Sequence, residues 1–217
     1  MKCLVVVAHP DDETIWMGGL MLRHSQWDWH ILSLCRADDT DRAPRFHQAA
    51  REFGAYGVMS DLDDTSPVPA PLSPDLHEIS RRLSALAPRD ADLVFTHGAD
   101  GEYTHHDRHS QIHWVVQDMV DSGDIQGQLL FFAYQDCGGT CSPRPSPDAE
   151  ILVNLTPEEH SAKRHIIRDI YGFGPGSFEY GACGFVESFK VHPGAQPRGR
   201  LLDLRLSSVL RSKSCES

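Results

Sequence analysis

Apolar residues along this chain of 217 residues gather in short unbroken runs, and between the runs they recur every third or fourth position. The first run is Leu4-Val5-Val6-Val7-Ala8. A strand that is apolar on both sides must be covered on both faces, as in a parallel sheet packed between helices. Comparable runs predict strands over 2–8, 29–34, 57–59, 91–96, 128–134, 151–154 and 185–191, and helical spacing predicts helices over 13–23, 45–53, 74–87, 106–120 and 157–170. Leu76, Ile79, Leu83 and Leu86 give the third helix an apolar stripe. Thr156-Pro157-Glu158-Glu159 opens the last one with a capping hydroxyl, a proline at the first helical position and a glutamate able to reach back. Gly18-Gly19 inside the first helix disfavours it, so close packing against another backbone is expected there. The alternation predicts an α/β fold with a mostly parallel sheet, in one domain over 1–217.

Breaks in the pattern fall in three places. Four prolines within 61–74 predict an exposed loop, and 135–148, with paired glycines followed by prolines, predicts a rim or lid over a pocket. Residues 193–217 read as a loosely ordered tail. The loop 35–45, before Pro44 opens a helix, is dense in groups that grip hydroxyls or anions, and Arg36 and Asp38 are its candidate substrate contacts.

Two strand ends carry the chemistry. His9-Pro10-Asp11-Asp12-Glu13 follows the first strand, and Gly101-Glu102-Tyr103-Thr104-His105-His106-Asp107-Arg108-His109 follows the strand over 91–96. The carboxyl edge of a parallel sheet is where such proteins keep their ligands. A hydrolytic zinc site takes three His or carboxylate ligands and leaves a position open. His9 and Asp12 fit two of these. Asp11 and Asp12 are neighbours on a turn and point apart, so one can hold an ion while the other takes a proton from the attacking water. His106 and His109 share a face at the start of a helix, so one can be the third ligand and the other can reach substrate. Either cluster alone reads equally as a helix cap or a surface histidine pair. Glu13 reads as a helix opener and Trp16 as core or a sugar-stacking ring.

A formal charge of −11 excludes broad contact with nucleic-acid backbones or anionic membranes. The first apolar run is too short for a signal peptide or a membrane span, which places the protein in the cytoplasm with Cys3, Cys35, Cys137, Cys141, Cys183 and Cys215 reduced. Nothing in the composition opposes a homo-oligomer. Thirteen histidines is a high count, and four of them stand between 97 and 109.

The His-Pro-Asp-Asp-Glu motif after the first strand, with Gly-Glu-Tyr-Thr and His106-x-x-His109 after a middle strand, resembles the zinc-dependent N-acetylglucosaminyl deacetylase family, also called LmbE-like or PIG-L. The resemblance implies a Rossmann-like three-layer sandwich. It also implies hydrolysis of an N-acetyl group on an amino sugar or glycoconjugate, with one zinc per chain, ferrous iron being the alternative ion. On the matching positions His9, Asp12 and His109 would be metal ligands, Asp11 the general base, and His106 the group that stabilises the oxyanion or protonates the leaving amine. An alignment fixed on Tyr103, a further candidate substrate contact, would instead place His105 and Arg108 at the two histidine positions. Two other functions remain open: an amidase acting on a larger conjugate, and a non-catalytic sugar- or nucleotide-binding protein. The second would want a Gly-rich phosphate loop after the first strand, and none is there.

Overall fold

A computed structural model of the chain describes residues 1–65, 75–103, 105–135 and 142–194. Its elements are β1 (Lys2–Val7), α1 (Asp12–Arg23), β2 (Asp28–Cys35), α2 (Arg42–Glu52), β3 (Tyr56–Leu62), α3 (Asp75–Leu86), β4 (Asp90–Thr96), α4 (Asp107–Asp121), β5 (Gln126–Phe132), β6 (Tyr134–Gln135), β7 (Arg144–Pro145), β8 (Ile151–Asn154), α5 (Pro157–His165), α6 (Phe178–Ala182) and β9 (Val186–Val191). The main sheet runs β3-β2-β1-β4-β5-β9-β8. Its first five strands are parallel, and β9 and β8 join antiparallel.

The unbroken apolar run of β1 is explained by its two faces. Cys3, Val5 and Val7 pack with residues of α1 and α2 on one side, while Leu4, Val6 and Ala8 pack with residues of α3 and α4 on the other. The result is the mostly parallel α/β fold that the alternation predicts, in the three-layer form that the resemblance implies. After β1 the chain fills one half of the sheet and returns to lay β4 on the opposite side, so a crevice opens between the carboxyl ends of β1 and β4. Both sequence clusters emerge there.

Several local expectations differ. The helix predicted to begin at Pro44 starts at Arg42, with Pro44 in its first turn. The helix over 157–170 has the capping box at Thr156 but turns into a π-helical turn at Ile166–Ile170. The strand over 128–134 is interrupted at Ala133, after which β6 pairs with β7. Helix α6 has no apolar periodicity long enough to announce it. The lid expected over 135–148 falls partly, and the tail over 193–217 almost wholly, outside the described residues, as do Cys137, Cys141, Cys215 and Thr104. Cys3, Cys35 and Cys183 are buried free thiols. Among the described residues no helix is long and apolar enough to cross a membrane.

Helix α1 is broken at Met17, whose backbone is non-helical (φ −148°, ψ 15°). The amides freed by the break, Gly19 N–H and Leu20 N–H, donate to the Glu187 carboxylate at 2.8 and 2.7 Å. A Cβ on Gly19 would run into the Leu155 side chain. The group packed against Gly19 is therefore a side chain, not the backbone expected from the sequence. Lys163 Nζ meets Glu187 at 2.7 Å, with both side chains buried. Lys163→Met should leave that carboxylate without its cation and destabilise the fold by about 3–5 kcal/mol. Urea denaturation measures this; a loss below about 1 kcal/mol would mean that the two amides alone hold the charge.

Candidate active site

The turn after β1 is bent to aim two carboxylates differently. Asp11 has a positive φ of 117°, rare for a non-glycine residue. The turn is held from behind by Glu13, which accepts Asp11 N–H at 3.1 Å and the Tyr171 hydroxyl at 2.7 Å. Glu13 is thus buried and occupied with structure. Asp12, the first residue of α1, places Oδ2 where it accepts His9 N–H at 2.9 Å and faces both His9 Nδ1 at 3.3 Å and His109 Nε2 at 3.4 Å. His9 Nδ1 and His109 Nε2 stand 3.2 Å apart.

These three atoms form a nearly equilateral triangle. Ligands about 2.0–2.1 Å from a tetrahedral ion lie about 3.3–3.4 Å from one another, so the triangle matches three corners of such a site. The outer nitrogens are fixed by carboxylates. His9 Nε2–H donates to Asp64 Oδ1 at 2.8 Å and His109 Nδ1–H to Glu102 Oε2 at 2.7 Å, which leaves the inner lone pairs for an ion. Electrostatics agree. Burial alone would lower both imidazoles, but Asp12 and Asp64 lift His9 to about 9, and Asp12 and Glu102 lift His109 to about 10. Burial likewise would raise Asp12, yet the facing imidazoles hold it well below the ordinary carboxylate range. The pocket is built for positive charge, and a divalent ion can take the place of the two protons.

Other donor sets are less apt. His97 lies close to Asp12 and His109, but its Nε2 already accepts Ala8 N–H at 2.9 Å and its Nδ1–H donates to Glu102 at 3.0 Å. It has no lone pair left. Cys35 lies near His9 and Asp64, but burial pushes its thiol up to about 12 and Asp64 is engaged by Arg36 at 2.9 Å. His106 brings a nitrogen within 4.8 Å of ring nitrogens on His9 and His109, a looser arrangement than the triangle.

A cavity of about 410 Å³ opens over this cluster, lined among others by Asp11, Trp16, Arg36, Arg42, Tyr103 and His106. Arg42 reaches Asp11 Oδ2 at 2.9 Å. Burial, then the Asp12 and Glu13 charges, push the Asp11 carboxyl well up, with Arg42 opposing. Burial and the repulsion of His109 and His9 bring His106 down to about 4, so its ring is neutral at neutral pH.

Of the residues singled out by sequence, His9, Asp12 and His109 converge, and Asp11, His106, Arg36 and Tyr103 border the same cavity. Asp38 does not: it is outside the lining, because the loop turns Arg36 and Arg42 inward instead. His105 is exposed and bonded to Asp107 at 2.9 Å, and Arg108 turns away to Asp75 at 3.2 Å. The pair that meets the cluster is therefore His106 and His109. Sequence reasoning assigned nothing to Glu102, His97, Asp64 or Arg42. His97 had a readable signal, since it follows β4 directly much as His9 follows β1. Asp64, beside a proline-rich stretch, had none.

Comparison with curated proteins finds no match. Among solved structures, the conserved protein TT1542 from Thermus thermophilus is 18% identical with a TM-score of 0.62, covering 90% of this chain and 97% of that one. The N,N'-diacetylchitobiose deacetylase from Pyrococcus horikoshii is 18% identical with a TM-score of 0.59 over 89% of this chain and 84% of its own. GalB, the 4-carboxy-2-hydroxymuconate hydratase from Pseudomonas putida KT2440, is 15% identical with a TM-score of 0.57, covering 88% and 95%. At these identities the likeness is one of fold. The family model for PIG-L, GlcNAc-PI de-N-acetylase, matches residues 4–120, more than half of the chain and the whole stretch from His9 to His109. The chain belongs to the PIG-L family.

Proposed function

We propose that the protein is a zinc-dependent hydrolase that removes an N-acetyl group from an amino sugar or related glycoconjugate. The observation that carries this reading is the triangle of His9 Nδ1, Asp12 Oδ2 and His109 Nε2 with the raised Asp11 carboxyl at the same cavity wall. Two imidazoles and one carboxylate suit zinc, with ferrous iron the competing ion. Bound there, the ion supplies Lewis acidity, which polarises an acyl oxygen and makes a water acidic enough to lose a proton near neutral pH.

The protein's own groups do the rest. Asp11 accepts the proton of the attacking water, and its high proton affinity in this buried position suits it to that task. Arg42 fixes one of its oxygens. His106, neutral, donates an N–H to the oxygen on which negative charge develops as the carbonyl becomes tetrahedral. When the carbon–nitrogen bond breaks, the proton held by Asp11 passes to the departing nitrogen. Acetic acid and a free amine result, the acid's proton passes to the amine or to solvent as acetate forms, and Asp11 returns to its starting state. Trp16, Tyr103 and Phe178 give the cavity aromatic walls against which a sugar ring can lie.

The deciding experiment incubates zinc-loaded protein with N-acetylated amino sugars, their glycosides and thiol conjugates, and measures released amine. Release from at least one class is expected. Binding without release from every member would favour a non-catalytic role, and the presence of a hydratase on the same fold makes that control necessary. Arg36, half-exposed beside Asp64, is the proposed polar contact at the mouth. Arg36→Ala should raise KM severalfold without loss of zinc, while Arg81→Ala, whose guanidinium pairs with Glu78 on α3, should change neither. Equal KM for Arg36→Ala and wild type would remove Arg36 from the substrate site.

A further inference from the structure

Trp16 stands one turn into α1, four residues after Asp12, and its indole N–H donates to Asp12 Oδ1 at 3.2 Å. The other oxygen, Oδ2, is the one that faces the two histidines. A carboxylate has two equivalent oxygens and, left to itself, can grip an ion with both. Here one is already engaged. The same tryptophan is held from its backbone. The break at Met17 sends Leu20 N–H to Glu187 instead of to Trp16 O, and that carbonyl accepts the Tyr134 hydroxyl at 2.7 Å. Tyr134 in turn accepts Ser188 N–H on β9 at 3.3 Å, and its ring lies against the indole at 5.0 Å. The first turn of α1 is thus detached from the rest of its helix and tied to the antiparallel part of the sheet.

We propose that Trp16 is a positioning residue for the metal ligand Asp12. Its indole N–H keeps Asp12 bound through a single oxygen, and the helix break with Tyr134 sets the angle of that indole. The proposal rests on the reading of Asp12 as a ligand. A carboxylate restricted to one oxygen keeps the coordination number low and leaves room at the ion for water and substrate. Trp16 therefore serves the site through Asp12 even though it also lines the cavity.

The test measures zinc affinity by competition with a chromophoric chelator, and the visible spectrum of the cobalt-loaded protein, in which four-coordinate cobalt absorbs more strongly than five- or six-coordinate cobalt. Trp16→Phe should bind zinc about 10–100-fold more weakly, the usual cost of losing an outer partner of a ligand. Its cobalt bands should weaken as Asp12 gains a second contact. Tyr134→Phe should move both readouts the same way and less far. Benzothienylalanine at position 16, which keeps the ring shape and lacks only the N–H, should reproduce Trp16→Phe and separates the hydrogen bond from packing. Wild-type zinc affinity and an unchanged cobalt spectrum in that variant, with binding lost in Asp12→Ala, would overturn the role of Trp16 alone. Wild-type zinc affinity in Asp12→Ala would overturn the ligand assignment and this proposal with it.

Discussion

His109→Ala should lose tight zinc binding and hydrolysis together. The substitution removes one corner of the triangle and leaves Glu102, a fully buried carboxylate, facing an empty space with only His97 and Gly98 N–H to satisfy it. The loss of affinity should therefore exceed the roughly 10–100-fold that removing an outer partner costs. Glu102→Gln supplies that smaller effect for comparison. Binding should also depend steeply on pH. In the metal-free site the carboxylates lift His9 to about 9 and His109 to about 10 against the opposing effect of burial, so both carry protons at neutral pH. An ion must displace both, and apparent affinity should fall by about a hundredfold for each unit of acidification below neutrality. Calorimetry in buffers of different ionisation enthalpy counts the released protons. His109→Ala protein that retained zinc at wild-type affinity would move the site elsewhere, the three-histidine set with His106 being excluded by the same result.

Asp11→Asn should separate binding from turnover. The amide keeps the size of the side chain and can still face Arg42, but it is too weak a base to take a proton from water, so kcat should fall about 10²- to 10⁴-fold with zinc content unchanged. The pH profile adds a second reading. Burial, with the charges of Asp12 and Glu13, pushes the Asp11 carboxyl above the ordinary carboxylate range. A base must be deprotonated to work, so activity should drop on the acid side as pH falls through that raised value. Arg42→Met removes the nearest cation opposing the rise, and should move the acid limb of kcat/KM to higher pH. An unmoved limb would mean that another group sets it. Near wild-type turnover by Asp11→Asn would reassign Asp11 as a cap, and Glu13, buried against Tyr171, could not replace it without rebuilding the turn.

The parts legible in the sequence were those whose signal is local. The β1 run reveals a strand buried on both faces because every residue in it is apolar, and His9 and Asp12 could be placed because they follow it at once. Helical spacing puts His106 and His109 on one face and leaves open which is the ligand; the family resemblance alone assigns that place to His109. Asp64 and Arg42 reach the same cavity from the β3 end and the α2 start, and no pattern near them distinguishes a site residue from a solvated charge. Asp38 shows the reverse. In a loop rich in carboxylates, composition announces polar contacts without telling which side chains turn inward; Arg36, at a positive φ, and Arg42 do so, and Asp38 does not. The break in α1 was hidden too, because Gly18-Gly19 reads as a packing feature until Glu187, far along the chain, supplies the acceptor for the freed amides.

That last connection bears on how the protein can be divided. Every residue of the proposed metal triangle, with the proposed base Asp11 and the proposed oxyanion donor His106, lies within 4–120, the stretch matched by the family model. Glu187, Lys163 and Tyr134, which hold the broken helix, all lie beyond it. A fragment ending near 120 would carry these reactive groups while α1, which bears Asp12, lacks the partners of its break, so chemistry and scaffold cannot be excised as one module. Supplying the remaining chain in trans should restore what the fragment lacks, which makes this protein a candidate for split-protein complementation with the cut in the turn between α4 and β5.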